Sequence, residues 1–456
     1  MLNLFGHYVR ANTVLLGIAE FLFLGAAFYA LAYLLLGNAF GADGQYLVLN
    51  RVLVPTCVLM LTMFSLGLYE PRARHDLRVF LIRLAASCAV GGIVLFGFFW
   101  WFLGTGGRGS ALTGLAASGV AFVVVLLLWF AFNAITRSEA FRTRVIVLGT
   151  GDRAGEVASL AAQPGSSLSV ASMLSATDIK DAETGEERNL LDLCRRTGAT
   201  EIVVALQERR GVLPVSELLA CRMHGINVTD YSTFCERESG KVDLDNVYPS
   251  WLVFSDGFRN TQRTFLWKRL FDGIVSLSIL TLCLPILIGT YAAVRLDSKG
   301  PGFYRQRRVG LDGKVFEVYK FRSMRTDAEK AGAQWARQND DRVTRVGRFI
   351  RRTRIDELPQ LINVLSGDMS FVGPRPERPE FVAELSQEIP YYQDRHRVKP
   401  GITGWAQINY PYGASVEDTK EKLKYDLYYM KNCTLFLDFL ILLKTIRVVL
   451  WPEGVR

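Results

Sequence analysis

The 456-residue sequence predicts a multidomain membrane protein in three parts: a four-helix transmembrane bundle over residues 1–138, a small α/β domain over 139–262, and a mixed, mainly α unit over 263–456 that enters the membrane as a re-entrant helix hairpin. Three observations predict it. Four apolar runs of about 17–25 residues open the chain, each long enough to cross a bilayer as a helix. A strand-like run, a glycine turn and a helix start follow. A fifth apolar run is broken by a proline and flanked by cations at both ends.

The opening runs lie near Thr13–Leu36, Val52–Leu68, Val79–Leu103 and Leu115–Ile135. Arg72, Arg74 and Arg78 follow the second, and Arg137, Arg142 and Arg144 follow the fourth. The other connections, Gly37–Arg51 and Gly104–Gly114, are nearly uncharged. Lys and Arg concentrate on the cytoplasmic side, so both ends of the bundle are expected there. Glu20 and Arg83 sit inside runs, and an intramembrane charge is a functional flag unless it is paired. The expectation is that the two pair with each other, or that Arg83 reaches the nearby surface. The first run is too long for a cleavable signal peptide and lacks a cleavage site.

The stretch Arg144-Val-Ile-Val-Leu-Gly-Thr-Gly-Asp-Arg-Ala-Gly155 reads as a buried strand, a glycine turn and a helix start. A second strand-like run at Glu201–Leu206, a helix over Pro214–His224 and a short strand at Ile226–Tyr231 continue the alternation, which predicts a parallel sheet. The glycine spacing is one residue longer than the dinucleotide fingerprint, and no acidic residue closes a second strand about 20 residues on. These glycines either offer backbone N–H groups to a phosphate at the helix N-terminus or only make a tight turn. The turn is the preferred reading.

Trp267-Lys-Arg-Leu-Phe-Asp272 precedes Gly273–Val294, 22 largely apolar residues with Pro285 near the middle. A straight span here would put everything after Arg295 outside the cell. Lys268 and Arg269 flank one end, however, and Arg295, Lys299 and Arg305 flank the other, so both ends read as cytoplasmic. A proline removes a helix hydrogen bond and clashes with the preceding turn. A helix–break–helix hairpin over about 267–295 is therefore expected. The last apolar segment, Leu435–Leu450, is interrupted by Asp438, Lys444 and Arg447. It reads equally as an interfacial helix or as an ordinary helix of the soluble part.

The net charge of +9 is uneven: residues 263–456 hold 32 Lys/Arg against 22 Asp/Glu, and residues 1–262 hold 21 against 22. The basic C-terminal part calls for an anionic partner, whether phosphate, anionic lipid or nucleic acid. The seven cysteines are scattered without a C-x-x-C pair. That excludes a disulfide framework and a zinc cluster and fits a reducing compartment.

Motifs crowd between Arg295 and Asn432. Basic residues and glycines interleave over Gly300–Gly310, and in Tyr319-Lys-Phe-Arg-Ser-Met324 the cations Lys320 and Arg322 share one face if this is a strand. Val346–Leu365 reads as helix-like, with Arg348, Arg351, Arg352 and Arg354 ahead of the pair Asp356–Glu357. Carboxylates among cations are expected to stay ionised, which suits a nucleophile or metal ligand better than a general acid. Arg375 lies between Pro374 and Pro376. Two fixed φ angles pre-organise it, and guanidinium matches phosphate oxygens bidentately. Any one of these features alone is a solvated surface. Together, beside a membrane hairpin, they describe a phosphate-handling membrane enzyme.

The segments Asp356-Glu-Leu-Pro-Gln-Leu, Gly367-Asp-Met-Ser-Phe-Val-Gly-Pro-Arg-Pro376 and Lys399-Pro-Gly-Ile-Thr-Gly-Trp-Ala-Gln407, in that order, resemble the bacterial sugar transferases, the monotopic polyprenyl-phosphate hexose-1-phosphate (phosphoglycosyl) transferases. The resemblance covers roughly Thr264–Pro452, and the upstream half resembles the large form, which adds four membrane helices and a Rossmann-like domain. It implies a re-entrant helix broken at a Ser-Pro step; here the step is Leu284-Pro285. It implies that Asp356 attacks the sugar-bearing phosphate of a UDP-sugar, UDP-glucose first among them, in a ping-pong cycle through an aspartyl phospho-sugar. Glu357 would help hold Mg2+, and Lys320 and Arg375 would hold phosphate oxygens, with Arg322 and Arg352 further candidates for substrate binding. Asp426 would assist the second half-reaction onto polyprenyl (undecaprenyl) phosphate. The implied setting is the bacterial inner membrane, with the catalytic unit on the cytoplasmic face and no nucleic-acid partner. The sequence does not fix the oligomeric state; the upstream domains are candidates for mediating a homodimer. The implied role is to start repeat-unit assembly for exopolysaccharide, capsule or O-antigen.

Two rival readings remain. A membrane-tethered nucleotide-sugar dehydratase or epimerase would carry Tyr-x-x-x-Lys, and none of the 17 tyrosines has a lysine at that spacing. A non-catalytic polysaccharide-export scaffold would leave Asp356–Glu357 without a role.

Overall fold

The structure, a computed structural model, describes residues 2–36, 49–70, 73, 76–103, 106–136, 142–163, 166–175, 190–208, 212–244, 262–328, 341–411, 413 and 415–450. The chain forms two compact units: residues 1–2 with 8–239, and residues 3–7 with 240–456.

In the first unit, helices α1 (Ala11–Leu36), α2 (Val54–Ser65), α3 (Leu77–Leu103) and α4 (Gly106–Thr136) pack about one apolar core. Leu24 and Phe28 of α1 meet Leu59 and Met63 of α2, Leu84 and Leu95 of α3, and Ala121 and Val125 of α4 there. Outward residues such as Leu22, Phe23, Ile93 and Leu127 are apolar too, the pattern of a helix surrounded by hydrocarbon. Ala11–Leu34, Leu77–Trp101 and Thr113–Ile135 are long and apolar enough to cross a bilayer, which makes this a membrane protein. The second expected span is corrected. Its apolar helix runs only over Asn50–Ser65, about 24 Å at 1.5 Å per residue, against a hydrocarbon core of about 30 Å. Gly67 ends it, turning the chain at φ 76°.

Both charges inside the apolar runs, the buried Glu20 and the part-buried Arg83, find partners after α2. Glu20 accepts the Tyr69 hydroxyl, and Arg83 donates to Glu70 at 3.0 Å and to the Gly67 carbonyl at 2.6 Å. Arg72, Arg74 and Arg137, which carried the orientation expectation, lie outside the described residues, as do positions 37–48 of the first connection.

The same unit holds a parallel four-stranded sheet in the order β2-β1-β3-β4, from β1 (Thr143–Leu148), β2 (Leu168–Leu174), β3 (Glu201–Val204) and β4 (Asn227–Asp230). Helices α5 (Asp152–Ala162), α6 (Leu190–Thr197), α7 (Val215–Met223) and α8 (Tyr231–Ser239) accompany it. Ile146 and Leu148 feed one apolar cluster and Val145 and Val147 another, so β1 is covered on both faces, as parallel strands require. The glycine turn has a structural cause. A Cβ on Gly149 would stand 2.7 Å from the Ala205 carbonyl oxygen, and Gly151 takes φ 107°.

The second unit opens with α9 (Gln262–Leu282) and α10 (Leu284–Asp297), bent by 63° at Cys283. The break falls where expected: Pro285 stands in the first turn of α10, where its missing N–H costs least. Leu270, Ile274, Leu277, Leu282, Ile286 and Ile288 are exposed along the two arms.

A β5–β6 hairpin follows (Phe303–Val309 and Val315–Phe321), then α11 (Arg345–Arg352), a 3-10 turn at Ile355–Glu357 and α12 (Gln360–Ser366). The helix-like reading of 346–365 is thus corrected to two short helices with a turn between them. Arg354 breaks the run by adopting the left-handed conformation, φ 59°, and Pro359 starts the next helix. Next come β7 (Ser370–Val372), α13 (Pro379–Glu388), β8 (Gly401–Thr403), α14 (Trp405–Asn409), α15 (Val416–Lys431) and α16 (Leu435–Leu450), with β7 and β8 parallel.

Leu361, Val372, Leu385, Tyr392, Leu423, Leu427, Leu437 and Ile441 form the core of this unit. One face of α16 enters it, while Leu435, Phe439, Ile446 and Leu450 stay exposed, so the helix joins features of both expectations. A buried polar network ties α9 to this core. Lys268 Nζ donates to Asp438 Oδ2 at 2.6 Å and to the Val372 carbonyl at 3.1 Å, and Asp272 accepts the Phe371 N–H at 3.0 Å. The N-terminal residues join as well: the His7 ring lies edge-on to Trp405 and Tyr428, with Nδ1 2.8 Å from the Tyr428 hydroxyl.

Candidate active site

Three segments meet around the acidic pair. The first is the 3-10 turn that carries it. The left-handed Arg354, a conformation that costs about 1–2 kcal/mol for a residue with a Cβ, reverses α11 into that turn and leaves Asp356 and Glu357 each 9% exposed. The second is β6, which brings Lys320. The third is the loop after β7, which brings Arg375. A backbone-to-backbone contact fixes that loop. Gly373 N–H donates to the Thr403 carbonyl and Gly401 N–H to the Pro374 carbonyl, both at 2.9 Å. A Cβ on Gly401 would stand 2.1 Å from the Gly373 nitrogen. The Gly-Pro-Arg-Pro and Lys-Pro-Gly-Ile-Thr-Gly segments, separate in sequence, are one structure in space.

The two carboxylates differ. Glu357 Oε1 accepts Arg375 Nη2 at 2.8 Å and Lys320 Nζ at 3.1 Å. Burial opposes its ionisation, but the Arg375 and Lys320 charges win and hold it well below the ordinary carboxylate range. Asp356 moves the other way. Burial first, then the Glu357 charge, lift it to about 6 against the pull of Lys320, Arg354 and Arg351. Its Oδ1 is buried and has no hydrogen-bond partner among the described residues. The cations are spent on Glu357, and burial costs the unpaired neighbour: the expected help from nearby positive charge is met at Glu357 and outweighed by burial at Asp356, which at about 6 is still largely ionised at neutral pH.

A buried carboxylate oxygen with no donor, beside an ionised glutamate, has the chemistry for a hard cation or an electrophilic phosphorus. No cluster of three or more acidic, His or Cys side chains occurs among the described residues. Mg2+ does not require one, since it commonly takes one or two carboxylates and completes its shell with phosphate and water.

The remaining expected residues divide. Arg322 is 5% exposed and committed to the end of α10, donating to the Ser298 carbonyl at 2.7 Å, Ser298 Oγ at 2.8 Å and the Lys299 carbonyl at 3.1 Å. Arg352 is exposed on the last turn of α11, while Arg351 and Arg354 are the cations whose fields reach Asp356. Asp426 on α15 is 2% exposed and binds Arg395, with its Oδ2 2.8 Å from Nη2 and 3.1 Å from Nε. Burial raises its carboxyl above the ordinary value. Pro285 stands at the bend, remote in sequence from these groups.

Two cations were not picked out from sequence. Arg308 on β5 donates to the Pro376 carbonyl at 3.0 Å and Gln306 Oε1 at 2.6 Å, and its field reaches Lys320 and Glu357. Arg395 reaches the Arg375 carbonyl at 3.1 Å. Alternation along β5 could have paired Arg308 with Gln306, but Arg395 lies in a charged 3-10 turn that offers no periodic signal.

Residues 263–452 match the family described as bacterial sugar transferase. The UDP-N-acetylgalactosamine-undecaprenyl-phosphate N-acetylgalactosaminephosphotransferase of Aeromonas hydrophila is 43% identical over 239 residues, 52% of this chain and 56% of that protein. The UDP-glucose:undecaprenyl-phosphate glucose-1-phosphate transferase of Klebsiella pneumoniae is 38% identical over 267 residues, 58% and 57%. This chain thus spans little more than half the length of either. The undecaprenyl-phosphate galactose phosphotransferase of Salmonella typhimurium is 32% identical over 355 residues, 71% of this chain and 72% of that one. A relative aligned over more than two thirds of both chains, and a family match that contains the whole acidic site, make this protein a member of the bacterial sugar transferase family.

Proposed function

We propose that this chain transfers a sugar-1-phosphate from a UDP-sugar to undecaprenyl phosphate at the cytoplasmic face of the bacterial inner membrane. One observation carries the reading: a buried Asp356 oxygen with no donor, beside a Glu357 ionised by Lys320 and Arg375. Asp356 attacks the phosphorus that bears the sugar. The bond to the bridging oxygen breaks, UMP leaves with the electron pair, and an aspartyl phospho-sugar remains. An oxygen of the lipid phosphate then attacks the same phosphorus and returns the carboxylate. Lys320 and Arg375 offset the negative charge gathered at the phosphorus. Asp356 and Glu357 would hold Mg2+, which when bound neutralises diphosphate charge and stabilises the leaving UMP. Arg352, exposed near the pair, is a candidate for contact with the nucleotide, whereas the engagement of Arg322 with α10 favours a structural role.

The bent α9–α10 pair, with apolar residues exposed on both arms and cations at both ends, supports a re-entrant hairpin that brings this site to the lipid phosphate. The relatives' names cover glucose, galactose and N-acetylgalactosamine transfer; UDP-glucose is the first substrate to test. The product would start a polysaccharide repeat unit. Purified protein given UDP-sugars, Mg2+ and undecaprenyl phosphate should release UMP and form a lipid-linked diphosphate sugar. No UMP from any sugar nucleotide would favour the scaffold reading.

A further inference from the structure

Asp426 is buried and turned toward an arginine. Its Oδ2 takes both Nε and Nη2 of Arg395, and the same Nη2 donates to the Arg375 carbonyl at 3.1 Å. Arg395 Nη1 donates to the Tyr392 hydroxyl at 3.0 Å, with the guanidinium 5.2 Å from that ring. Arg395 thus has every edge engaged inside the protein, at 6% exposure. On the far side of its own backbone, Arg375 reaches Glu357. Two residues upstream of Pro374, whose carbonyl accepts the Gly401 N–H, the Val372 carbonyl is held by Lys268 Nζ at 3.1 Å and the Tyr429 hydroxyl at 3.0 Å. The Gly373–Pro376 loop is clamped at both ends by side chains from α9, α15 and the Tyr392–Arg397 turn.

Proton accounting points the same way. A phosphate monoester has its second pKa near 6, so the lipid phosphate already carries an ionised oxygen at neutral pH and needs no base to attack. A base at this position would have nothing to remove.

We infer that Asp426 is a positioning residue that acts through Arg395: it fixes the guanidinium that holds the Arg375 carbonyl, and so sets the Arg375 side chain on Glu357 and the substrate phosphate. This rests on the transfer reaction proposed above. It assigns Asp426 to both half-reactions, since Arg375 serves both.

The test uses the full chain in detergent, with Asp426→Asn, Arg395→Lys and the double variant. A lysine keeps the charge beside Asp426 but lacks the planar fork that spans carboxylate and carbonyl together. With a UDP-sugar, Mg2+ and no lipid acceptor, UMP release in a single turnover reports adduct formation alone. Each single variant should slow it roughly 10- to 100-fold, the range for residues that orient a ligand group, and the double variant should be no slower than the worse single one. Backbone hydrogen exchange over residues 373–377 should quicken in both singles while the rest of the unit, and thermal unfolding, confirm an intact fold. Wild-type adduct formation in Asp426→Asn, with adduct accumulating once lipid is added, would overturn the proposal and restore a base. So would unchanged exchange over 373–377 in either single variant. If wild-type protein releases no UMP, the transfer reaction fails, and the exchange measurement still decides whether Asp426 positions the loop.

Discussion

Arg375 Nη2 lies 2.8 Å from Glu357 Oε1, the same oxygen that Lys320 Nζ approaches at 3.1 Å, so one carboxylate oxygen fixes two cations from separate elements. Glu357→Gln keeps the shape and removes the charge. Lys320, 18% exposed at its side chain, is then left with a neutral acceptor. The expected outcome is a loss of about 1–3 kcal/mol of stability and a fall of at least about 100-fold in UMP release. Thermal unfolding and a nucleotide-release assay read the two effects separately.

Asp356→Asn should do the opposite to stability. It removes a buried charge that has no hydrogen bond on Oδ1 and repels Glu357. Turnover and the trapped phospho-sugar adduct should vanish while the unfolding temperature holds or rises, by about 2–4 °C if the gain is near 1 kcal/mol. An adduct in this variant would move the nucleophile elsewhere.

Lys268→Met strands Asp438, which is fully buried, without its cation. Breaking one side of a buried pair costs about 3–5 kcal/mol, so the variant should lose protease resistance in the second unit. Adding Asp438→Leu should recover much of the loss, because two apolar groups need no compensation.

Gly149→Ala should destabilise with or without nucleotide, by about 1–3 kcal/mol, since the new methyl meets the Ala205 carbonyl at 2.7 Å. Nucleotides that raise the unfolding temperature of the wild type but not of Gly151→Ala would instead assign the turn a ligand.

The His7 ring supplies a pH dependence. Burial, then the nearby Lys444 charge, lower it from 6.5 to about 4. The unfolded chain therefore binds this proton at a higher pH than the folded one. Its contribution is complete above about pH 6.5, falls as pH drops from 6.5 toward 4, and is level below that. Between pH 6.5 and 5.5 the loss approaches about 1 kcal/mol, and His7→Phe, which keeps an aromatic ring against Trp405, should flatten it in unfolding measured at both values.

Much of this was legible in sequence because it follows from one-dimensional patterns. Apolar run length found α1, α3 and α4, strand–glycine–helix order found β1 and α5, and the proline between flanking cations found the α9–α10 break. Run length failed at α2, where apolar residues continue past a glycine turn at Gly67 that ends the helix. β2 escaped notice because its alternating, half-exposed residues, such as Ser169, Ser172 and Met173, carry no continuous apolar run. In the site, Asp356, Glu357, Lys320 and Arg375 were found, but not that the two acids ionise differently. That difference depends on which oxygen the cations reach, and only the left-handed Arg354 and the Gly373–Gly401 contact decide it. Arg395 and Arg308 act through backbone carbonyls, which no side-chain spacing advertises.

The docking of His7 on Tyr428 spans 421 residues of chain. At roughly 5–20 residues per second of synthesis, the segment around His7 must wait from about 20 seconds to more than a minute before its partner surface exists. Closure of the second unit is thus a late event for residues 3–7, which are made long before the rest of it. During that interval the segment is free to be captured by insertion machinery, a chaperone or a neighbouring chain.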